Sequence, residues 1–262
     1  MAYTNKEDTF AQATADLALI AFYYLLRIGE YTIKSTAELG KSNTKQTIQF
    51  KLEDVTFFSK DKKGRQRQLP RNASKRDMMK ADSATLMLDN QKNGWKAACI
   101  HQETNGEHVK CLVRALARRV LHLREHKASG KMILCKVYEE DRERYVCAKD
   151  VSTSLKVAAN MLQYPLTRGI PVSSVDTHSL RSGGANALAL SGYSDKQIQK
   201  MGRWRGKTFK EYVREDLVCY SVGMSTSMKR NFKFVNIAGN VCNDVTDECV
   251  ALEYEGYATP AA

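Results

Sequence analysis

The chain has 262 residues, 43% of them hydrophobic and 27% charged, enough to bury a core, which excludes wholesale disorder and a minimal disulfide-stapled fold. The formal net charge is +12; residues 241–262 hold five acids and no base, so residues 1–240 carry +17, an excess that points to a polyanion, nucleic acid ahead of an anionic membrane surface. With no run of about 18 apolar residues and no signal-like start, an intracellular protein off the membrane is expected, its seven scattered cysteines reduced and its histidines not spaced to hold a metal.

Residues 7–27 repeat apolar side chains at helical spacing (Phe10, Leu17, Ile20, Tyr24, Leu25) and predict a first helix. From Thr47 to Phe58 apolar and polar residues alternate, and Ala84–Leu88 with Ala97–Ile100 reads as a hairpin around Asn93-Gly94, so a small antiparallel sheet follows. Between these, residues 60–80 carry nine bases and two acids, which predicts a solvated stretch able to touch phosphate. Beyond residue 110 the pattern is helical: Leu112–His126, then Val151–Leu162 behind Asp150 as a cap, with breaks at Pro165 and Pro171. Ser182–Ser191 is alanine-rich and ends at Gly192, and Ser194 to Gln197 is a capping box opening another short helix. Residues 196–214 hold seven bases and one acid, interleaved with Trp204, Phe209 and Tyr212.

Three short islands stand out: Arg27-Ile28-Gly29-Glu30, His178-Ser179-Leu180-Arg181 ahead of the alanine-rich helix, and Gly202-Arg203-Trp204 through Tyr212. In that order, with the arginine boxes about 150 residues apart, they make the sequence resemble the catalytic domain of the tyrosine recombinases, the phage-integrase family, over most of residues 8–235. The stretch from Thr177 to Arg214 is most similar to recombinases of DIRS- or Crypton-type eukaryotic mobile elements. One spacing departs from the family: its tyrosine commonly lies nine residues after the His/Trp position, whereas Tyr212 lies eight after Trp204, a rotation of about 100° on a helix. Tyr220 is the alternative nucleophile.

The resemblance implies an α+β fold, a mainly helical catalytic domain with a small antiparallel sheet walling a basic DNA cleft, over residues 1–238. Residues 239–262 are expected to be an acidic tail or docking segment, and the helical core-binding domain that usually precedes the catalytic one is expected to be absent. The implied activity is site-specific DNA recombination or integration, a transposition-type reaction without metal or cofactor: a tyrosine attacks a phosphodiester of double-stranded DNA and forms a 3′-phosphotyrosyl link. By the resemblance, Arg27 and Arg181 hold nonbridging oxygens, Trp204 adds an indole N–H, His178 takes the phenol proton, Tyr212 attacks, and Lys92 (or Lys96), on a hairpin turn, protonates the leaving 5′-oxygen. Guanidinium forks suit this task, because two parallel N–H donors match a phosphate edge where an ammonium cannot. Glu30 and Asp176 are read as groups that orient these side chains, and Lys60, Lys62, Lys63, Arg65, Arg67, Arg203, Arg205 and Lys207 as DNA-gripping surface. A tetramer on DNA is implied, in the nucleus if the host is eukaryotic. Two other readings stay open: a type IB topoisomerase-like nicking and resealing enzyme, and a non-catalytic DNA-binding protein derived from a mobile element.

Overall fold

Helix α1 (Thr9–Tyr23) forms where the apolar spacing predicts it, with Ala13, Leu17, Ile20 and Ala21 on its buried side. The structure is a computed structural model that describes residues 9–33, 48–90, 96–140, 142–204, 206 and 210. All of these fall within the first of two compact units, Met1–Arg214. The tail expected at 239–262 lies outside the described residues.

A short helix, α2 (Ile28–Tyr31), follows α1, and a 3-10 turn (Leu52–Asp54) leads into the sheet. The sheet consists of β1 (Val55–Lys60), β2 (Gln66–Gln68), β3 (Ser83–Asn90) and β4 (Lys96–Glu103), with helix α3 (Lys75–Met79) between β2 and β3. Its order is β2-β1-β3-β4, every pair antiparallel, with Leu86 opposite Ile100 and Met87 opposite Cys99. Period-two alternation puts Phe57, Ala84, Leu86, Leu88 and Ile100 into the core, while Met87, Cys99 and His101 face solvent. The predicted β3–β4 hairpin is present, and its turn, with Lys92, lies outside the described residues.

Helix α4 (Leu112–Glu125) lays Leu112, Leu116, Val120 and Leu123 against the same core. Buried Asp16 of α1 receives both Nε (3.0 Å) and Nη2 (2.5 Å) of Arg118 on α4, so the one acid on the inner side of α1 is charge-paired. Then come the hairpin β5 (Lys136–Tyr138) and β6 (Glu143–Tyr145), helices α5 (Ala148–Met161) and α6 (Tyr164–Arg168), a 3-10 turn (Val172–Ser174), α7 (His178–Leu190) and α8 (Asp195–Gly202). The capping box at the start of α8 is as read: Ser194 N–H donates to Gln197 Oε1 at 2.9 Å, and Gln197 N–H to Ser194 Oγ at 3.4 Å.

Several expectations are corrected. Residues 60–80 are not simply solvated: the stretch holds an edge strand and a helix, and Ser74 caps α3 so that Met78 plugs into the core. The chain beyond residue 110 is not all helical, because β5 and β6 pair over three residues each, too few for alternation to register. Asp150 is not the cap of α5; it sits inside the first turn and accepts the Cys147 N–H at 2.8 Å. Helix α7 starts at His178 rather than Ser182, since Thr177 is already helical (φ −55°, ψ −31°), which places the whole His178–Arg181 box in its first turn.

Candidate functional site

The site begins where α1 ends. Leu26 N–H donates to Ala21 C=O (2.9 Å) and Leu25 N–H to Phe22 C=O (3.4 Å), the paired reverse bonds of a Schellman ending. Such endings put a left-handed residue, usually glycine, at the position Leu25 occupies with φ +49°. Leucine costs about 1–2 kcal/mol there. Its side chain offsets that cost by packing with Ala185, Ile198 and Trp204 in a second apolar cluster. Leu25 also turns its carbonyl inward, where it becomes an acceptor for two arginines.

Those arginines come from the far end of the described chain. Arg181 on α7 donates from Nη1 to Leu25 C=O (2.7 Å) and from Nη2 to Gly202 C=O (2.5 Å), and its guanidinium lies 4.5 Å from the centre of the Trp204 ring. Arg203 donates from Nη2 to Leu25 C=O (3.2 Å) and to Glu30 Oε2 (2.9 Å). Glu30 is 0% exposed and Arg203 2%, so this is an ion pair removed from water. Burial lowers the Arg203 pKa, Glu30 works against that, and the Arg27 charge adds to the lowering.

Arg27 opens α2 as its N-cap. Its N–H donates to Glu30 Oε2 at 2.8 Å, while its Nη1 lies 3.4 Å from Glu30 Oε1. Its side chain keeps 22% of its surface in solvent, whereas Arg181 is 2% exposed, so Arg27 is the accessible guanidinium of the three. Glycines make the convergence possible. A Cβ on Gly184 would fall 2.4 Å from Phe22 C=O, so α7 crosses the end of α1 at backbone contact. One on Gly202 would fall 1.6 Å from the Trp204 ring. Arg203 takes a left-handed C-cap conformation (φ +57°), which turns the chain so that Arg203 and Trp204 both reach inward.

His178 is exposed at the start of α7, one helical turn from Arg181. Asp176 accepts the Thr177 N–H at 2.6 Å, and this bond, with help from Ser152 and the charge of Lys156, holds its carboxyl below the usual range. Asp176 thus ties the start of α7 to α5. His178, Ser179 and Ser182 also border a groove of about 710 Å³ whose lining is mostly apolar (Phe22, Leu155, Leu162, Ile170), a chemistry suited to side chains rather than phosphate.

Tyr24 and Tyr31 flank the Leu25-to-Glu30 stretch in the sequence and are poor nucleophiles. Burial pushes both hydroxyls well above the ordinary phenol range, and Tyr24 donates its proton to Ala84 C=O at 2.8 Å. Tyr212 and its alternative Tyr220, with Lys92, Arg205 and Lys207, lie outside the described residues, and so does the side chain of Lys96. Lys60, Lys62, Lys63, Arg65 and Arg67 sit exposed on the β1–β2 hairpin, where Asp61 holds the turn through Lys63 N–H (2.8 Å) and Arg65 N–H (3.0 Å) and Lys60 pairs with Glu103 at 3.2 Å.

Arg203 corrects the sequence reading: grouped there with the DNA-gripping surface, it is a buried partner of Glu30, because its left-handed backbone turns it into the fold. Leu25 was not legible as a site residue, since its role is carried by a main-chain carbonyl. Among the described residues no three His, Cys, Asp or Glu side chains cluster to hold a metal, and no helix is long and apolar enough to cross a membrane. No family model matches the chain, and no curated protein is found similar to it.

Proposed function

We propose that this chain is a tyrosine-recombinase-type DNA strand transferase. The observation that carries the reading is the meeting of the three islands: Arg27 with Glu30, Arg181, and Gly202 with Arg203 share one set of hydrogen bonds around the Leu25 carbonyl, and the Trp204 ring stacks on Arg181. Clustered guanidinium groups at a helix junction are a means of stabilising the charge that gathers on nonbridging phosphate oxygens during displacement.

The proposed reaction is a balanced exchange. The Tyr212 oxygen attacks phosphorus, the bond to the 5′-oxygen breaks, His178 takes the phenol proton and Lys92 supplies one to the leaving oxygen. Reversal by a 5′-hydroxyl releases the tyrosine. Arg27 is the best-exposed donor for the phosphate, and Arg181, backed by Trp204, supplies a second. The exposed bases of the β1–β2 hairpin add sequence-independent grip on double-stranded DNA. Assembly as a tetramer on DNA, and nuclear residence in a eukaryotic host, belong to the same proposal.

One observation favours a second reading, a DNA-binding protein without catalysis: Arg181 already gives both Nη groups to main-chain carbonyls. Trapping distinguishes the two. The full chain is incubated, without metal, with a duplex carrying a 5′-bridging phosphorothiolate, beside Tyr212→Phe and Tyr220→Phe variants, and adducts are mapped by peptide mass. An adduct at Tyr212 supports the proposal, and one at Tyr220 moves the nucleophile. Salt-sensitive binding with no adduct at either supports the second reading.

A further inference from the structure

We propose that Arg203 is a positioning residue: by taking the charge of Glu30 it keeps Arg27 turned outward, available to an anion. The inference rests on the proposed phosphate chemistry only for what Arg27 binds. Glu30 Oε2 accepts from Arg203 Nη2 at 2.9 Å and from the Arg27 N–H at 2.8 Å, so the carboxylate is committed to the Arg203 charge and the Arg27 backbone. Among the described residues, the Arg27 guanidinium makes only the longer 3.4 Å contact to Oε1, and it keeps part of its surface in water. A carboxylate as deeply buried as Glu30 requires a cation close by, since an unpaired buried charge is strongly destabilising.

Without Arg203, the nearest cation on that carboxylate among the described residues is Arg27, already its N-cap neighbour. The Arg27 fork then closes onto Glu30 and is withdrawn from solvent. Arg203 therefore acts on the accessible arginine by competing with it for one carboxylate. Its second bond, to the Leu25 carbonyl that also receives Arg181, places the same residue behind both guanidinium groups. A purely architectural role for Arg203 predicts loss of stability and nothing about Arg27. The competition predicts that removing Glu30 as well releases Arg27 again.

The test compares the full-length wild type with Arg203→Met, Arg203→Lys and the double variant Glu30→Gln/Arg203→Met. Three readouts are taken: thermal unfolding, the side-chain Nε–H resonance of Arg27 by ¹⁵N NMR, and the rate and DNA affinity of single-turnover adduct formation on the phosphorothiolate duplex. Arg203→Met is expected to move the Arg27 resonance and to slow adduct formation by about 100-fold, with DNA affinity changed less than roughly threefold. Arg203→Lys keeps the charge and is expected to hold the Arg27 resonance near its wild-type position. The double variant is expected to return that resonance towards the wild-type position and to recover at least about tenfold in rate over Arg203→Met.

An Arg27 resonance unmoved in Arg203→Met, or a double variant no closer to wild type than the single, overturns the proposal. Should Arg203→Met not fold, the double variant and Arg203→Lys still decide: the proposal falls if either moves the Arg27 resonance well away from its wild-type position. If the wild type forms no adduct, the strand-transfer reading fails on its own, and the Arg27 resonances still settle the role of Arg203.

Discussion

Leu25 presents its carbonyl to Arg181 at 2.7 Å from a left-handed backbone that its side chain disfavours, joining the end of the first helix to a residue 156 positions along the chain. The strain persists because two arginines draw on that oxygen and because the leucine side chain is buried.

This balance predicts an unusual order of stabilities. Leu25→Ala loses the buried side chain and keeps the left-handed cost, for about 2–5 kcal/mol of destabilisation. Leu25→Gly loses the same side chain and is relieved of the left-handed cost, so it is expected to be more stable than Leu25→Ala by about 1 kcal/mol. Urea unfolding of both variants checks this, and an alanine variant as stable as the glycine one would remove strain from the account.

Gly202→Ala is expected to displace Trp204, because the new Cβ would lie 1.6 Å from its ring. In a Trp95→Phe background Trp204 is the only tryptophan of the two in the chain. Its emission is expected to shift towards the red as the ring gains water, with destabilisation of about 1–3 kcal/mol from the overpacking.

For Arg181→Lys, the ammonium cannot serve the Leu25 and Gly202 carbonyls in the fixed geometry of a guanidinium, nor stack as a plane on Trp204. The expected cost is about 1–3 kcal/mol in unfolding free energy. Under the proposed function, adduct formation also slows by about 100- to 1000-fold. A variant with wild-type stability and a lost rate would mean that Arg181 serves the anion rather than the fold.

His122 on α4 supplies a pH signature. Its Nε2 accepts the Tyr138 N–H at 2.9 Å, which requires that nitrogen unprotonated, and burial, aided by the charges of Arg119 and His126, pushes its pKa down to about 4. Between about pH 6.5 and 4 the unfolded chain binds a proton there that the folded chain refuses, so stability falls as pH falls through that window. His122→Gln keeps an acceptor for Tyr138 without that titration. The difference in unfolding free energy between wild type and variant is expected to change across this pH range and to be constant above it.

Much of the fold was legible because it rests on local pattern. The apolar spacing of α1 and α4, the alternation and turn residues of β3 and β4, and the capping box of Ser194 and Gln197 are each decided within a few residues. The elements missed were short or polar: β2 is wholly exposed, β5 and β6 pair over three residues each, and α3 is held by one buried side chain, Met78. Such elements are stabilised by what they pack against, which no local pattern records.

For the candidate site, the sequence determined the residue types: three islands of arginine, histidine and tryptophan in a fixed order, with glycines where the backbone needs them. Only the tertiary structure decided which arginine faces water. Arg27 and Arg203 are alike in chemistry, yet Arg203 is buried against Glu30 and Arg27 stays half-turned to solvent. That outcome depends on the left-handed turns at Leu25 and Arg203 and on helices from distant parts of the chain meeting at Gly184. Competition for one buried carboxylate exists only once the chain has folded, because in water both guanidinium groups would be solvated equally well.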